Sequence, residues 1–160
     1  MLKLRPASIK DCKLIWKWVN DPDVRAVSFH SEAISYEDHV RWFDLKLKDI
    51  RCFFYIAETA NQEPIGQVRY ELDGNEATID ISIGQQFRAK GYGPSLIQLS
   101  SKRLFDASAA KVIHAYVKTG NEYSLRAFKK AGFSNAGNAT INAHKATHLI
   151  LKKEPAGNVS

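Results

Sequence analysis

The sequence predicts an α+β domain in which helices pack on one mixed central sheet. Three observations lead there. The chain has 160 residues, 44% hydrophobic and 25% charged, an ordinary composition for a single domain over residues 1–160. That length buries a core without disulfide or metal staples. Apolar residues recur at helical spacing through the first third of the chain, then alternate with period two up to residue 83. From there strand-like and helix-like stretches alternate, giving the order β-α-α-β-β-β-α-β-α-β-β.

Taken in order, residues 3–7 (Lys-Leu-Arg-Pro-Ala) suit a first strand. Ser8-Ile-Lys-Asp11 reads as a capping box in its Asp form. It opens a helix to about Asn20 with Ile9, Cys12, Ile15, Trp16 and Val19 on one face. Asn20-Asp21-Pro22 stops that helix, and residues 23–34 read as a loop. Ser35-Tyr-Glu-Asp38 opens a second helix to about Lys48, with His39, Val40, Phe43 and Leu47 as its stripe. Residues 51–58 and 65–72 are strands, separated by the turn Asn61-Gln-Glu-Pro64. Asp73-Gly74 is a hairpin signal. In residues 77–83, Ile79, Ile81 and Ile83 share one face, with Thr78, Asp80 and Ser82 on the other. These three strands form an antiparallel meander. Pro94 suits the first turn of a helix to about Asp106. Residues 112–117 are a strand, and residues 122–131 are a helix that Gly132 closes in αL conformation. Phe133 begins a strand, residues 135–143 read as an Asn- and Ala-rich loop, residues 148–152 are the last strand, and the tail from Glu154 frays.

Composition narrows the function. No apolar run approaches the about 20 residues of a membrane span, and the start, Met1-Leu-Lys-Leu-Arg-Pro, lacks a signal peptide's apolar core. Cys12, Cys52 and five scattered histidines give no metal-ligand spacing. No metal is expected, and a reducing cytoplasm is the expected compartment. The formal net charge of +6, from 23 Lys+Arg against 17 Asp+Glu, favours anionic partners. The densest cations are Arg88-Lys90, Lys102-Arg103 and Arg126-Lys129-Lys130. They read either as a solvated surface or as the footprint of a phosphate-bearing cofactor. The aromatics follow core patterns with no basic–aromatic stacking stripe, so a nucleic-acid partner is not expected.

The chemistry concentrates in one segment, Ile79-Asp-Ile-Ser-Ile83-Gly-Gln-Gln-Phe-Arg88-Ala-Lys-Gly91-Tyr-Gly93-Pro. A strand runs into a short loop and the loop into a helix. Two glycines let the backbone turn and approach a ligand, and loop amides converge with the helix N-terminus on one point. That geometry suits phosphate oxygens, and Arg88 and Lys90 bring charge. The segment is no P-loop, since no Gly-Lys-Ser/Thr follows. Nor is it a Rossmann fingerprint, since the preceding strands pair antiparallel and the third glycine is missing.

Arg88-Ala89-Lys90-Gly91-Tyr92-Gly93 resembles the Arg/Gln-x-x-Gly-x-Gly/Ala motif of the GNAT family of acetyl-CoA-dependent N-acetyltransferases. A second stretch agrees with it: Asn121-Glu-Tyr-Ser124-Leu-Arg-Ala-Phe128-Lys-Lys-Ala-Gly132-Phe133 resembles the family's Asn-x-x-Ala/Ser, Tyr/Phe, Gly-Phe pattern. The resemblance spans residues 3–152. It implies a mixed, mostly antiparallel sheet with about four helices and a splayed fourth/fifth strand pair. It also implies acetyl-CoA as co-substrate. The pantetheine arm would meet backbone groups of Ile81 and Ile83, the pyrophosphate the amides of Arg88, Ala89, Lys90, Gly91, Tyr92 and Gly93, and the arm again Asn121. Asn121 equally reads as a helix N-cap, and one side chain can serve both roles.

A narrower resemblance lies in the N-terminal half. Asn20-Asp-Pro-Asp-Val-Arg25-Ala-Val-Ser28, Ile34 and His39-Val-Arg-Trp42-Phe resemble the branch that acetylates nucleotide-linked amino sugars in pseudaminic-acid-type pathways. Ribosomal-protein acetyltransferases share an Asn-Asp-x-x-Val/Arg element. The resemblance implies Arg25, Ser28, His39 and Trp42 as acceptor-binding residues. His39 on an apolar stripe also reads as a packed core residue, and Arg25 either grips a diphosphate or faces water. The partner is then a small-molecule amine, with no membrane involved and a homodimer allowed.

Acetyl transfer needs a proton acceptor for the amine and donors for the oxyanion. Asp80 is the base candidate, directly or through water, and a strand amide in residues 79–83 the donor. Tyr116 and His114 share a face that can reach the amine. Phe128 stands where many family members carry a tyrosine general acid. A thiolate with a pKa near ~8.5 leaves tolerably without one, and Tyr116 or Tyr123 can substitute. Neither cysteine lies in these motifs, so transfer is direct, without an acyl-enzyme. The alternatives are an acetyltransferase for protein N-termini or other small amines, and a non-catalytic CoA-binding regulatory module.

Overall fold

The computed structural model describes residues 1–155, and one sheet runs through it. In chain order the elements are β1 (Lys3–Pro6), α1 (Cys12–Val19), α2 (Pro22–Val27), α3 (Tyr36–Lys48), β2 (Cys52–Glu58), β3 (Pro64–Asp73), β4 (Glu76–Ile83), α4 (Tyr92–Ala107), β5 (Val112–Lys118), α5 (Glu122–Lys130), β6 (Ser134–Ile141) and β7 (His144–Lys152). The strand order is β1-β2-β3-β4-β5-β7-β6. Only β4 and β5 run parallel; every other neighbouring pair is antiparallel. This is the mixed, mostly antiparallel sheet expected from the sequence, with the β2–β4 meander in place.

Local signals account for most element ends. Asp11 accepts from the Ser8 N–H at 2.8 Å and also from both terminal nitrogens of Arg5 at 2.8 Å. At the end of α5, Gly132 has φ +102°, and the N–H groups of Gly132 and Phe133 donate to the carbonyls of Lys129 and Phe128. That is a Schellman closure. Its accompanying apolar contact is Phe128 against Phe133, with ring centroids 5.1 Å apart.

Two expectations are corrected. Residues 23–34 are not all loop, because Pro22–Val27 form α2. The Asp21 side chain accepts from the Asp23 N–H as N-cap, and Pro22 sits in the first turn. The same Asp-Pro pair that ends one helix therefore starts the next. Residues 135–143 are likewise not a loop, because Ser134–Ile141 form β6 and β7 begins at His144 rather than His148. β6 is a largely exposed edge strand of small and polar residues, with a register shift between Asn135 and Gly137. Its evidence is backbone pairing, which leaves no apolar alternation to read. The expected fraying of the tail concerns residues that, beyond Pro155, lie outside the described part.

The two sheet faces are covered unequally. α4 and α5 cover one face, over a core that includes Val68, Tyr70, Ile79, Leu96, Ile97, Leu104, Ile113 and Leu149. On the other face α1 and α3 lie mainly over β2, burying Cys12, Ile15 and Phe43 against Phe54 and Ile56. Over β4 and β5 that second face carries Thr78, Asp80, Ser82, His114, Tyr116 and Lys118 instead. No helix among the described residues is long and apolar enough to cross a membrane.

Candidate active site

The β4–β5 ladder is short. It pairs Glu76 with Val112, Ala77 with Ile113 and Thr78 with His114, and goes no further. Beyond Thr78 the two strands part. Gly84 donates its N–H to Ile65 on the β3 side, whereas the Asn75 carbonyl accepts from Lys111 on the β5 side. Backbone groups alternate along a strand, so Ile79, Ile81 and Ile83 turn theirs toward the space β5 has left. The Ile83 carbonyl accepts from Arg88 Nε at 3.0 Å. A chain of amides can therefore add to this edge as a strand would.

The loop after β4 ends at the same opening. Gly91 is the N-cap residue of α4 in the left-handed region, φ +82°, and a Cβ there would meet nothing within 4 Å. Ala89 is left-handed as well, at φ 59°. No side chain caps α4, so its first N–H groups, which have no intrahelical acceptor, are free to meet an anion at the positive end of the helix. Lys90 is exposed beside them. These features fit the diphosphate and amide arm of CoA, with no side chain filling the place.

Arg88 does not supply the loop charge that the sequence suggested. Its guanidinium turns to Asp21 at 2.8 Å and Asp23 at 3.4 Å, which ties the loop to the start of α2. Asn121 caps α5: its Oδ1 accepts from the Ser124 N–H at 3.3 Å and its Nδ2 donates to the Ser124 hydroxyl at 3.0 Å. Tyr123 lies one turn on, its hydroxyl 3.8 Å from the Cβ position of Gly93.

On the polar face, Asp80 and Tyr116 flank the opening from β4 and β5. Asp80 Oδ2 accepts from the Gln67 amide at 3.3 Å and lies 3.5 Å from the Arg69 guanidinium. Gln67 also donates to the Ser82 hydroxyl at 2.9 Å. Tyr116 stacks on His148, its partner across the β5–β7 ladder, at 4.7 Å. Lys118 reaches from the end of β5 to the carbonyls of Ala26 and Ser28, which holds α2 and its loop over this face. Asn142, in the β6–β7 turn, donates to the Phe29 carbonyl at 2.8 Å from the other side.

The four expected acceptor residues fare differently. Arg25 and Ser28 are together, but Arg25 is committed to the Val19 carbonyl at 2.6 Å, the His30 carbonyl at 2.6 Å and the Ser28 hydroxyl at 3.2 Å. It clamps the loop more than it offers a free fork. Burial lowers its pKa, opposed by the field of Asp80. His39 is a correction: it is 1% exposed, stacked on Phe43, with Nε2 held by the Cys12 carbonyl at 2.9 Å. The apolar stripe of α3 faces the core and carries His39 with it, so it lines no acceptor site. Trp42 offers its ring to the Arg69 guanidinium at 4.8 Å, with its own face already covered. Sequence reading did not single out Arg69, Gln67, Lys118, Glu76 or His148, which complete this face. Glu76 could have been found from its alternation with Thr78 and Asp80. The others become neighbours only through strand pairing.

Comparison with known proteins agrees with this geometry. The family described as acetyltransferase (GNAT) domain matches residues 1–134. The fold is similar to that of spermidine N-acetyltransferase from Vibrio cholerae in complex with CoA and spermine, with TM-score 0.86 and 19% identity over 94% of this chain and 95% of that one. It is also similar to an aminoglycoside acetyltransferase in complex with coenzyme A, with TM-score 0.82 and 21% identity over 96% and 95% of the two chains. No curated protein sequence matches the chain. The short β4–β5 ladder, the left-handed glycine before α4 and the family match over most of the chain agree: this protein belongs to the GNAT family of acetyl-CoA-dependent N-acetyltransferases.

Proposed function

We propose that the acceptor is the amino group of a nucleotide-linked amino sugar, acetylated by direct attack. The carrying observation is the charge on the acceptor side. Arg25 and Lys118, bound to carbonyl and hydroxyl oxygens, bring cations there, while the carboxylates of Asp21, Asp80 and Glu76 are already engaged by Arg88, Arg69 and His114. A polycation would need unengaged carboxylates, whereas a diphosphate gains from the cations. Binding the nucleotide remotely would hold the amine beside the thioester that acetyl-CoA supplies.

Asp80 and Tyr116 are the side chains we place at the amine. Asp80 Oδ2 is taken by Gln67 and Arg69, and its Oδ1 suits it to accept one N–H of the attacking amine. The backbone amides of residues 79–83 would donate to the developing oxyanion. Direct attack is favoured because neither thiol is a ready nucleophile. Cys12 is buried, and burial pushes the Cys52 thiol up to about 11.

A second reading is favoured by the similar structures, whose own ligands are spermine and aminoglycosides: a polycationic amine acceptor. One panel separates the two. Thiol release is followed with UDP- and GDP-linked amino sugars, free amino sugars, spermidine, an aminoglycoside and N-terminal peptides. Fastest turnover of a nucleotide-linked sugar, weakened by salt, is the expected result. Preference for spermidine or a peptide overturns the proposal.

A further inference from the structure

Glu76, His114 and His148 stand 38 and 34 residues apart in sequence yet form one hydrogen-bonded row. Glu76 Oε1 is 2.8 Å from His114 Nε2, and His114 Nδ1 is 2.7 Å from His148 Nε2. The two imidazole planes differ by 18°, with ring centroids 5.0 Å apart. An ionised carboxylate only accepts, so a neutral His114 carries its proton on Nε2 and accepts at Nδ1. His148 must then donate from Nε2. Its neutral ring is left with a bare Nδ1, to which no group among the described residues hydrogen-bonds.

The row runs from β4 through β5 to β7 on the polar face that borders the opening. Tyr116, stacked on His148, is the second residue of β5 past the parting from β4. The charged and titratable surroundings of His148 are few. β5 presents His114, Tyr116 and Lys118, the last bound to the Ala26 and Ser28 carbonyls. β4 presents Glu76 and, across the opening, Asp80. β6 carries no ionisable residue, and the neighbours on the same face of β7 are Ala146 and Ile150. Burial, then the adjacent His114, lowers the His148 pKa from its ordinary value.

We propose that His148 Nδ1 takes the proton of the acceptor amine through water bound on this face, with His114 and Glu76 as positioning residues that fix its tautomer. The proposal rests on the amine-acetylation reading above. As the amine nitrogen bonds to the acetyl carbonyl carbon, the carbon–sulfur bond breaks and its electron pair leaves with sulfur. The proton released from nitrogen resides on His148 Nδ1, and Glu76, through His114, offsets the resulting charge.

His148→Gln keeps an N–H where Nε2 stood and removes the base. The expected result is a kcat lower by about 100-fold, CoA affinity and melting temperature unchanged, and loss of the acidic limb of the pH–rate profile. Glu76→Gln should keep activity at high pH and move the acidic limb to lower pH, because the carboxylate no longer supports the imidazolium. Full kcat with an intact acidic limb in His148→Gln overturns the proposal. Nitrogen-15 NMR of the imidazoles gives a readout independent of any acceptor: neutral His148 should be the Nε2–H tautomer, and an Nδ1–H tautomer also overturns the proposal. A wild-type protein that binds CoA yet acetylates no amine in the panel overturns the acceptor reading, and the tautomer still decides how the row is arranged.

Discussion

The donor side and the acceptor side of the site are made of different material. The donor side is backbone: unpaired amide groups of β4, a left-handed turn at Gly91 and an uncapped helix start. The acceptor side is side chains, nearly all already holding one another, as in Asp80–Arg69, Arg25–Ser28 and Glu76–His114–His148. A backbone site tolerates most substitutions except those that change φ or close the space. A side-chain network fails residue by residue, and each loss strands a partner. The first suits a ligand common to many enzymes, and the second suits the choice of acceptor.

The comparison can be broken first at Gly91. Gly91→Val places a β-branched residue at φ +82°, at a cost of about 1–2 kcal/mol in backbone strain alone, and it adds bulk where the diphosphate should lie. We expect CoA affinity by calorimetry to fall by well over tenfold. Because the added Cβ meets open space, the melting temperature should drop only slightly. Unchanged affinity would refute the backbone reading of the donor side.

Asn121→Ala tests the one side chain assigned both to a helix cap and to the donor side. Loss of the N-cap should cost about 1 kcal/mol of stability. If the amide also meets the pantetheine arm, CoA binding should weaken by a further ~1 kcal/mol. Denaturant unfolding and calorimetry on the same variant separate the effects, and a stability loss with unaltered affinity leaves capping as the whole role.

Arg25→Ala sharpens the acceptor side. It should lower kcat/KM for the nucleotide-linked sugar by roughly tenfold, the scale of one charged hydrogen bond, and leave CoA binding unchanged. A parallel loss of CoA affinity would mean that the loop it clamps serves the donor side too.

The smallest effect is set by pH. Burial holds the His39 pKa below its usual value, against the hydrogen bond to the Cys12 carbonyl. Its folded pKa therefore lies below the unfolded one, so its contribution is present above about 6.5 and is lost as the pH falls toward the folded pKa. Melting temperature should decline from pH 7.5 to 5.5. In His39→Gln, whose amide can still donate to Cys12, that part of the decline should disappear.

The same division explains what the sequence made legible. Gly91 and Gly93 sit two residues apart and report a local backbone requirement, so the donor loop could be read directly. The meander showed through the alternation of Ile79, Ile81 and Ile83. His148, Glu76 and Arg69 could not be read as a group, because their proximity comes from strand pairing across the sheet. His39 read equally as ligand or core, and only the direction of the α3 stripe decided. β6 was missed for want of apolar residues, and α2 because Asp21-Pro22 carries a stop and a start at once.

Only three register pairs join β4 to β5, so the strand pairing narrows there to a short seam, above one core that spans both sides. Anything that binds across the unfastened length supplies rungs the chain itself lacks. By mass action a ligand at 100 times its Kd adds about 2.7 kcal/mol to stability, a large share of what an ordinary domain possesses. The protein's resistance to unfolding should therefore be a gauge of donor supply, rising as the co-substrate fills the seam.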